Sequence, residues 1–185
     1  MGKARKKRVS KAEWLAKALE ILATEGWHGV RVDRMAREFG ISRAGFYWHF
    51  QHRDDLMQQM LDYWAHEYTA VVTENVELKE GDPRDRLKKT SSMILEHDLA
   101  RYDLAIRDWA THDRAAAKAV NSVDQKRFEF LSQLFREMGF RGKQPERRAQ
   151  LFVCYHSSEF GMFANRTKVD REKLARLQCD LLVKK

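Results

Sequence analysis

The sequence predicts an all-α protein with about nine helices, on three observations. The 185-residue chain has only two prolines and nine glycines, with long stretches free of both. Ala, Leu, Glu, Lys, Arg and Gln, all good helix formers, fill those stretches. No alternating Val/Ile/Thr run is bounded by turn residues, as a half-buried strand would be. With 43% apolar residues the chain buries a real core, which excludes global disorder.

The first helix is expected at about residues 11–25. Ser10 followed by Glu13 reads as a capping box, and Val9 and Trp14 are placed as a hydrophobic staple. Trp14, Leu15, Ala18, Leu19 and Leu22 share one face, and Gly26 suits the position just past the end. A short second helix, about residues 32–39, turns Met35, Ala36 and Phe39 inward and Arg34, Arg37 and Glu38 outward before Gly40 ends it. A third runs from an N-cap at Ser42 to about Trp48, with Ile41 and Phe46 repeating the staple. The fourth, about residues 53–77, carries Leu56, Met60, Leu61, Trp64, Tyr68, Val71 and Val72 on one stripe. At 1.5 Å per residue it is a rod of roughly 35–40 Å. The polar "KEGDPRD" after it marks a boundary, and five more helices are expected at about 84–100, 102–112, 114–138, 146–165 and 171–183. Asp170 is expected to cap the last, with Val169 and Leu174 as its staple.

The formal charge is +8, and residues 1–60 hold 12 Lys/Arg against 7 Asp/Glu, a net +5 on a third of the chain. Such a balance favours polyanions, nucleic acid or anionic membrane, without requiring either. Cys154 and Cys179 match no metal spacing and no disulfide framework, and both are expected as buried structural thiols in a reducing cytosol. The basic "GKARKKRVSK" is followed by no apolar stretch, so it does not read as a signal peptide. Nowhere do 18 apolar residues run together, so no membrane span is expected.

Residues 32–50 carry the most informative chemistry. A helix, a tight glycine turn and a second helix, with Ala36 at the fifth position and Gly40 at the ninth, make a helix-turn-helix pattern. Ala36 lets the helices cross closely, and Gly40 supplies the left-handed turn. The third helix then starts poorly for its own stability. Gly45 stands where Glu is favoured, at about 1 kcal/mol relative to Ala, and Arg43 has the wrong sign for that end of the helix dipole. Both residues suit an end that faces an anion at close range, as recognition helices do in the major groove.

On these residues, "RVDRMAREFGISRAGFYWHFQHRDDLMQQML" resembles the DNA-binding domain of the tetracycline repressor (TetR) family of bacterial regulators. The likeness covers roughly residues 10–61: the capped first helix, the Ala-x-x-x-Gly-Ile-Ser turn, the Phe-Tyr-x-His-Phe box and the Arg-Asp-Asp-Leu start of the fourth helix. It implies a cytoplasmic, one-component transcription regulator, nucleoid-associated when bound. The regulator would be a repressor that binds a palindromic operator in double-stranded DNA as a homodimer and answers to a small-molecule effector. It further implies that Arg43 and Ala44 approach base edges and that Gly45 permits close approach. Tyr47, His49 and Arg53 would hold phosphates, and Ser42 would cap the helix and share its amides with a phosphate. Trp48 stays open between sugar-phosphate contact and packing. The arm residues Lys3, Arg5, Lys6, Lys7 and Arg8 either reach along the DNA or only solubilise. This chain departs from the family at Arg31, where a small hydroxyl cap is usual and a phosphate ligand is gained, at His52, and at the Ala44-Gly45 pair. The implied division is a basic arm at 1–9, a DNA-binding domain at 10–52, a connecting helix at 53–79 and an effector-binding and dimerisation domain at 80–185.

In that second domain the candidate pocket residues are His97, Tyr102, Trp109, His112, Phe128, Tyr155 and His156, and the candidate dimer contacts are Leu151, Tyr155, Met162, Leu174, Leu177 and Leu181. No metal or other cofactor is expected. A metal-sensing regulator would draw on His97, Asp98, His112, Asp113, His156 and Glu159, but no tight ligand spacing selects a metal. A small helical enzyme is the alternative of another class. Its di-iron signature fails, because the single Glu-x-x-His, Glu25 to His28, straddles a helix-ending glycine, and no catalytic residue is expected. A non-specific nucleic-acid binder would explain the charge but not the third helix.

Overall fold

A computed structural model of the chain describes residues 8–75, 78 and 80–184; Lys3, Arg5, Lys6 and Lys7 of the basic arm lie outside the described residues. Among the described residues every regular element is helical. Helix α1 spans Lys11–Glu25. Its box is reciprocal: the Glu13 N–H donates to Ser10 Oγ (3.3 Å) and the Ser10 N–H to Glu13 Oε2 (2.7 Å). Val9 and Trp14 are both buried, so the staple forms as well. After a 3₁₀ turn, Trp27–Gly29, come α2, Val32–Phe39, and α3, Ala44–Tyr47. Gly40 is left-handed (φ 68°, ψ 32°), and the Ile41 N–H closes back onto the Ala36 carbonyl. That is the helix-ending motif a Cβ-bearing residue would strain.

Helix α4, Arg53–Ala65, runs without a break through a π-helical stretch, His66–Ala70, into a last turn, Val71–Thr73. The expected uninterrupted rod is thereby corrected. One extra residue in a helical turn shifts the phase of the residues downstream by about 100°. Thr69 therefore faces inward and Val71, expected on the buried stripe, is exposed, while Val72, also expected there, is buried.

The remaining helices are α5 (Pro83–Glu96), α6 (Asp103–Ala110), α7 (Arg114–Glu137), α8 (Gln144–Met162) and α9 (Lys168–Leu182). Three of them differ from expectation, α8 by ending at Met162 rather than about residue 165. Helix α5 stops four residues early because Asp98 takes a positive φ of 49° and the Leu99 N–H closes onto Ile94 O. Helix α9 starts a turn early, since Thr167 rather than Asp170 is its N-cap, accepting from the Asp170 N–H at 3.2 Å. Val169 is then exposed instead of forming a staple. Cys179 is buried as expected, but Cys154 is exposed on α8.

The core does not stop at the boundary expected near residue 80. One continuous cluster joins Trp14, Phe46, Leu56 and Trp64 to Tyr102, Ile106 and Trp109 of the α6 region and to Ala116, Val120 and Val123 of α7. Helix α6 packs directly on α1 as well as on α7. A second cluster, with Leu87, Phe135, Phe152 and Leu182, closes α5, α7, α8 and α9.

Candidate nucleic-acid interface

A helix as short as α3 has no stability of its own, so its position rests on its apolar side. Phe46 and Phe50 are buried and stacked, with centroids 5.1 Å apart, and Trp14 meets Phe46 edge-on at 5.4 Å. The opposite side is bare. Tyr47 is 61% and Trp48 79% exposed, and Arg43 and Ala44 are exposed beside them. Packing within the chain is thereby removed as the reason for Trp48.

The start of α3 differs from expectation. Ser42 is exposed and makes no cap; Arg43 is already helical (φ −51°, ψ −29°) and no side chain closes that end. The turn is held instead by backbone bonds from Gly45 to Ser42 O and from Phe46 to Arg43 O, both 3.0 Å. A Cβ at Gly45 would sit 2.9 Å from Ile41 Cδ1, the tip of a side chain that would have to shift. Arg43 is ion-paired with Asp33 of α2, a partner that sequence reasoning missed. Both side chains are well exposed, and a surface pair of this kind is weak enough to open for a base or phosphate. Arg31 is exposed at the start of α2, with no side-chain cap, as the missing hydroxyl foretold.

Two residues expected on phosphates are occupied within the fold. Arg53 donates from Nε to Val30 O (2.7 Å) and from Nη2 to Trp27 O (2.6 Å), and its guanidinium lies 5.7 Å from the Trp27 ring. It ties α4 to the 3₁₀ turn. His49 Nε2 donates to Val9 O (2.9 Å) and so anchors the segment from which the basic arm departs. One amide in the first turn of α4 and one just before the helix are also taken. The Asp55 N–H donates to His52 Nδ1 (3.1 Å), and the Gln51 N–H donates to Asp55 Oδ2 (2.8 Å). Hydrogen bonds from Gln59 and from that Gln51 N–H hold the Asp55 carboxyl below the usual range. His52 thus does the capping expected of a small residue.

The π stretch and last turn that continue α4 line, with α5, α6, α7 and α8, a cavity of about 50 Å³. Of the seven pocket candidates only His156 lines it. Tyr102 and Trp109 are core residues of the first cluster, Phe128 packs on the second, Tyr155 is half-buried, and His97 and His112 are exposed. Sequence reasoning also missed a buried polar group. Asp103 is fully buried and Arg127 pairs with it, while Thr69 Oγ1 accepts from Arg127 Nη2 (2.9 Å) and Ser157 Oγ donates to Asp103 (2.8 Å). The Trp64 indole N–H also reaches Asp103 (3.3 Å). Burial, reinforced by the Arg127 charge, pushes His156 down to about 3, so it is neutral. Among the described residues no three His, Cys, Asp or Glu side chains gather as a metal cage, and no helix is long and apolar enough to cross a membrane.

On the outer side of α8 and α9, Leu151, Met162, Leu177 and Leu181 are more than half exposed, with Tyr155 and Leu174 half-buried among them. Within each helix these positions fall inside about 60° of arc.

Residues 15–60 match a family model described as bacterial regulatory proteins, tetR family. In sequence, the chain is 29% identical over 87 residues to YuxN of Bacillus subtilis (strain 168), an uncharacterized HTH-type transcriptional regulator. The match spans 46% of this chain and 29% of that protein. In structure, it is similar to a transcriptional regulator from Rhodococcus sp. Rha1, with TM-score 0.74 and 20% identity over 95% of this chain and 96% of that one. It is also similar to the transcriptional regulator FadR from Bacillus subtilis in complex with stearoyl-CoA, with TM-score 0.70 and 17% identity over 94% and 98%. At these identities the structural likeness is one of fold.

Proposed function

We propose that this chain, whose residues 15–60 match the tetR family of bacterial regulatory proteins, acts as a homodimeric transcriptional repressor whose grip on a palindromic operator is set by a small effector. One observation carries the reading: α3 buries Phe46 and Phe50 and leaves Arg43, Ala44, Tyr47 and Trp48 bare on the other side. A helix held rigidly from behind, with an Arg and two aromatics in front, suits entry into a major groove. Arg43 would read a guanine bidentately, and Tyr47 and Trp48 would meet sugar and phosphate.

The exposed apolar residues of α8 and α9 support dimerisation, because contiguous patches of this kind mark interaction surfaces. Two copies of the helix pair would form a four-helix interface and set the recognition helices about 34–36 Å apart, or a multiple of that. The cavity supports effector control by its location. Thr69 of α4 and Asp103 of α6 both line it, and both helices pack on α1 of the DNA-binding unit. That FadR, of the same fold, was solved in complex with stearoyl-CoA fits control by a small ligand. An effector would change DNA affinity only as far as it prefers one spacing of the recognition helices.

Selection of bound duplexes from a random library tests the proposal. The expected product is one enriched palindrome; binding of all duplexes alike would leave only a non-specific cationic protein.

A further inference from the structure

We infer that the effector is an uncharged, mostly apolar molecule of about single-ring size, carrying at most a hydroxyl or N–H donor and seated in the cavity around Asp103 and Arg127. The inference rests on the effector-regulated reading above.

It comes from how the charges in the cavity wall are used. Asp103 receives Trp64 Nε1 and Arg127 Nη2 on one oxygen, and Arg127 Nη1 and the Ser157 hydroxyl on the other. Those contacts fill its acceptor sites. Every guanidinium nitrogen of Arg127 is also bound. Nε donates to Thr69 Oγ1 (3.1 Å), Nη1 to Asp103 and Ser157, and Nη2 to Thr69, Asp103 and the Tyr68 carbonyl. A ligand carboxylate or ammonium would find no counter-charge here without breaking the pair, and that would strand a buried ion. Neutral His156 adds no charge, and its Nε2 already faces Ser91 Oγ at 3.2 Å.

The rest of the wall is apolar, chiefly Val72, Leu99, Phe130 and Phe152. Thr73 and Thr90, also in the wall, donate their hydroxyls to the Thr69 and Arg86 carbonyls. Toward the cavity they therefore offer oxygen lone pairs, which accept from a hydroxyl or N–H. Size completes the picture. A cavity of about 150 Å³ takes benzene, and this one measures about 50 Å³. A single ring enters only if the wall gives, and the wall includes the π stretch of α4 and the start of α6. Ile94, Ala100 and His156 also line an outer groove of about 300 Å³.

The full-length protein is titrated with benzyl alcohol, benzoate and benzylammonium near neutral pH, and with stearoyl-CoA, by calorimetry and thermal shift. Benzyl alcohol is expected to bind at least about tenfold more tightly than either ion and to change retention of the selected palindrome. Leu99→Trp, which fills the cavity, is expected to abolish its binding. Should that variant not fold, saturation transfer from the protein to benzyl alcohol in the presence of Ala100→Leu gives the same comparison. Tighter binding of benzoate, benzylammonium or stearoyl-CoA overturns the inference. So does an absence of benzyl alcohol binding at millimolar concentration, or binding undiminished by the filling variants. If a palindrome is enriched while benzyl alcohol fails, the regulator stands and the ligand class falls; if none is enriched, the regulator reading itself falls.

Discussion

Neutral His156 makes stability depend on pH in a way that can be calculated. In the fold it is pushed down to about 3 by burial and the neighbouring Arg127, whereas an unfolded imidazole titrates near about 6.5. The unfolded chain therefore takes the proton first. The contribution is complete above about pH 6.5 and is lost as pH falls toward the folded value. At about pH 5.5 protonation stabilises the unfolded state by RT ln 11, on the order of 1 kcal/mol, against almost nothing at about pH 7.5. The difference corresponds to about 2–4 °C in Tm for a chain of this size. Other groups titrate in the same range, so the measurement is a comparison. Urea unfolding of wild type and His156→Gln is followed at both pH values and one protein concentration. The glutamine keeps an acceptor for the Ser91 hydroxyl and cannot titrate. Wild type should lose about 1 kcal/mol more than the variant on acidification; equal losses would show that His156 is not held neutral in the fold.

Three further outcomes are expected at the interfaces. Arg53→Ala should lower stability by about 1.5–3 kcal/mol, since charge-assisted bonds to the Val30 and Trp27 carbonyls are lost. It should leave the salt dependence of DNA binding unchanged, and a slope reduced by about one with stability intact would return Arg53 to the phosphates. Arg43→Ala should cost about 1–3 kcal/mol at one position of the selected palindrome and little elsewhere; uniform loss across a mismatch panel would remove it from base reading. Leu177→Glu should shift the sedimentation of the protein from dimer to monomer without changing its helicity, and a wild type that sediments as a monomer would sink the α8–α9 interface.

The parts of this molecule that were legible in its sequence are those with local causes. The Ser10–Glu13 box, the Gly40 turn and the inward Phe46 each depend on neighbours a few residues away, and each is where local rules put it. The two residues wrongly placed on phosphates depend on partners far along the chain. Arg53 and His49 have the right chemistry for phosphate, yet carbonyls 23 and 40 residues away hold them. The pocket could not be read for the same reason. Asp103 and Arg127 look like ordinary charged residues at the start of one helix and within another, and only tertiary packing buries them together. The π stretch has no local signature either; it shows in which residues face inward, Thr69 instead of Val71.

The shared core of α1, α4, α6 and α7 bears on how such a protein can be taken apart. Tyr102, Ile106 and Trp109 complete the floor on which the DNA-reading unit stands. The first third of the chain is therefore not a portable cassette. Cut free, or grafted onto a foreign sensor, it would present the bare backs of Leu19 and Trp64 to water. A working chimera has to carry residues of α6 and the start of α7 along with it, so the seam for exchange lies farther down the chain than the polar stretch that looks like one.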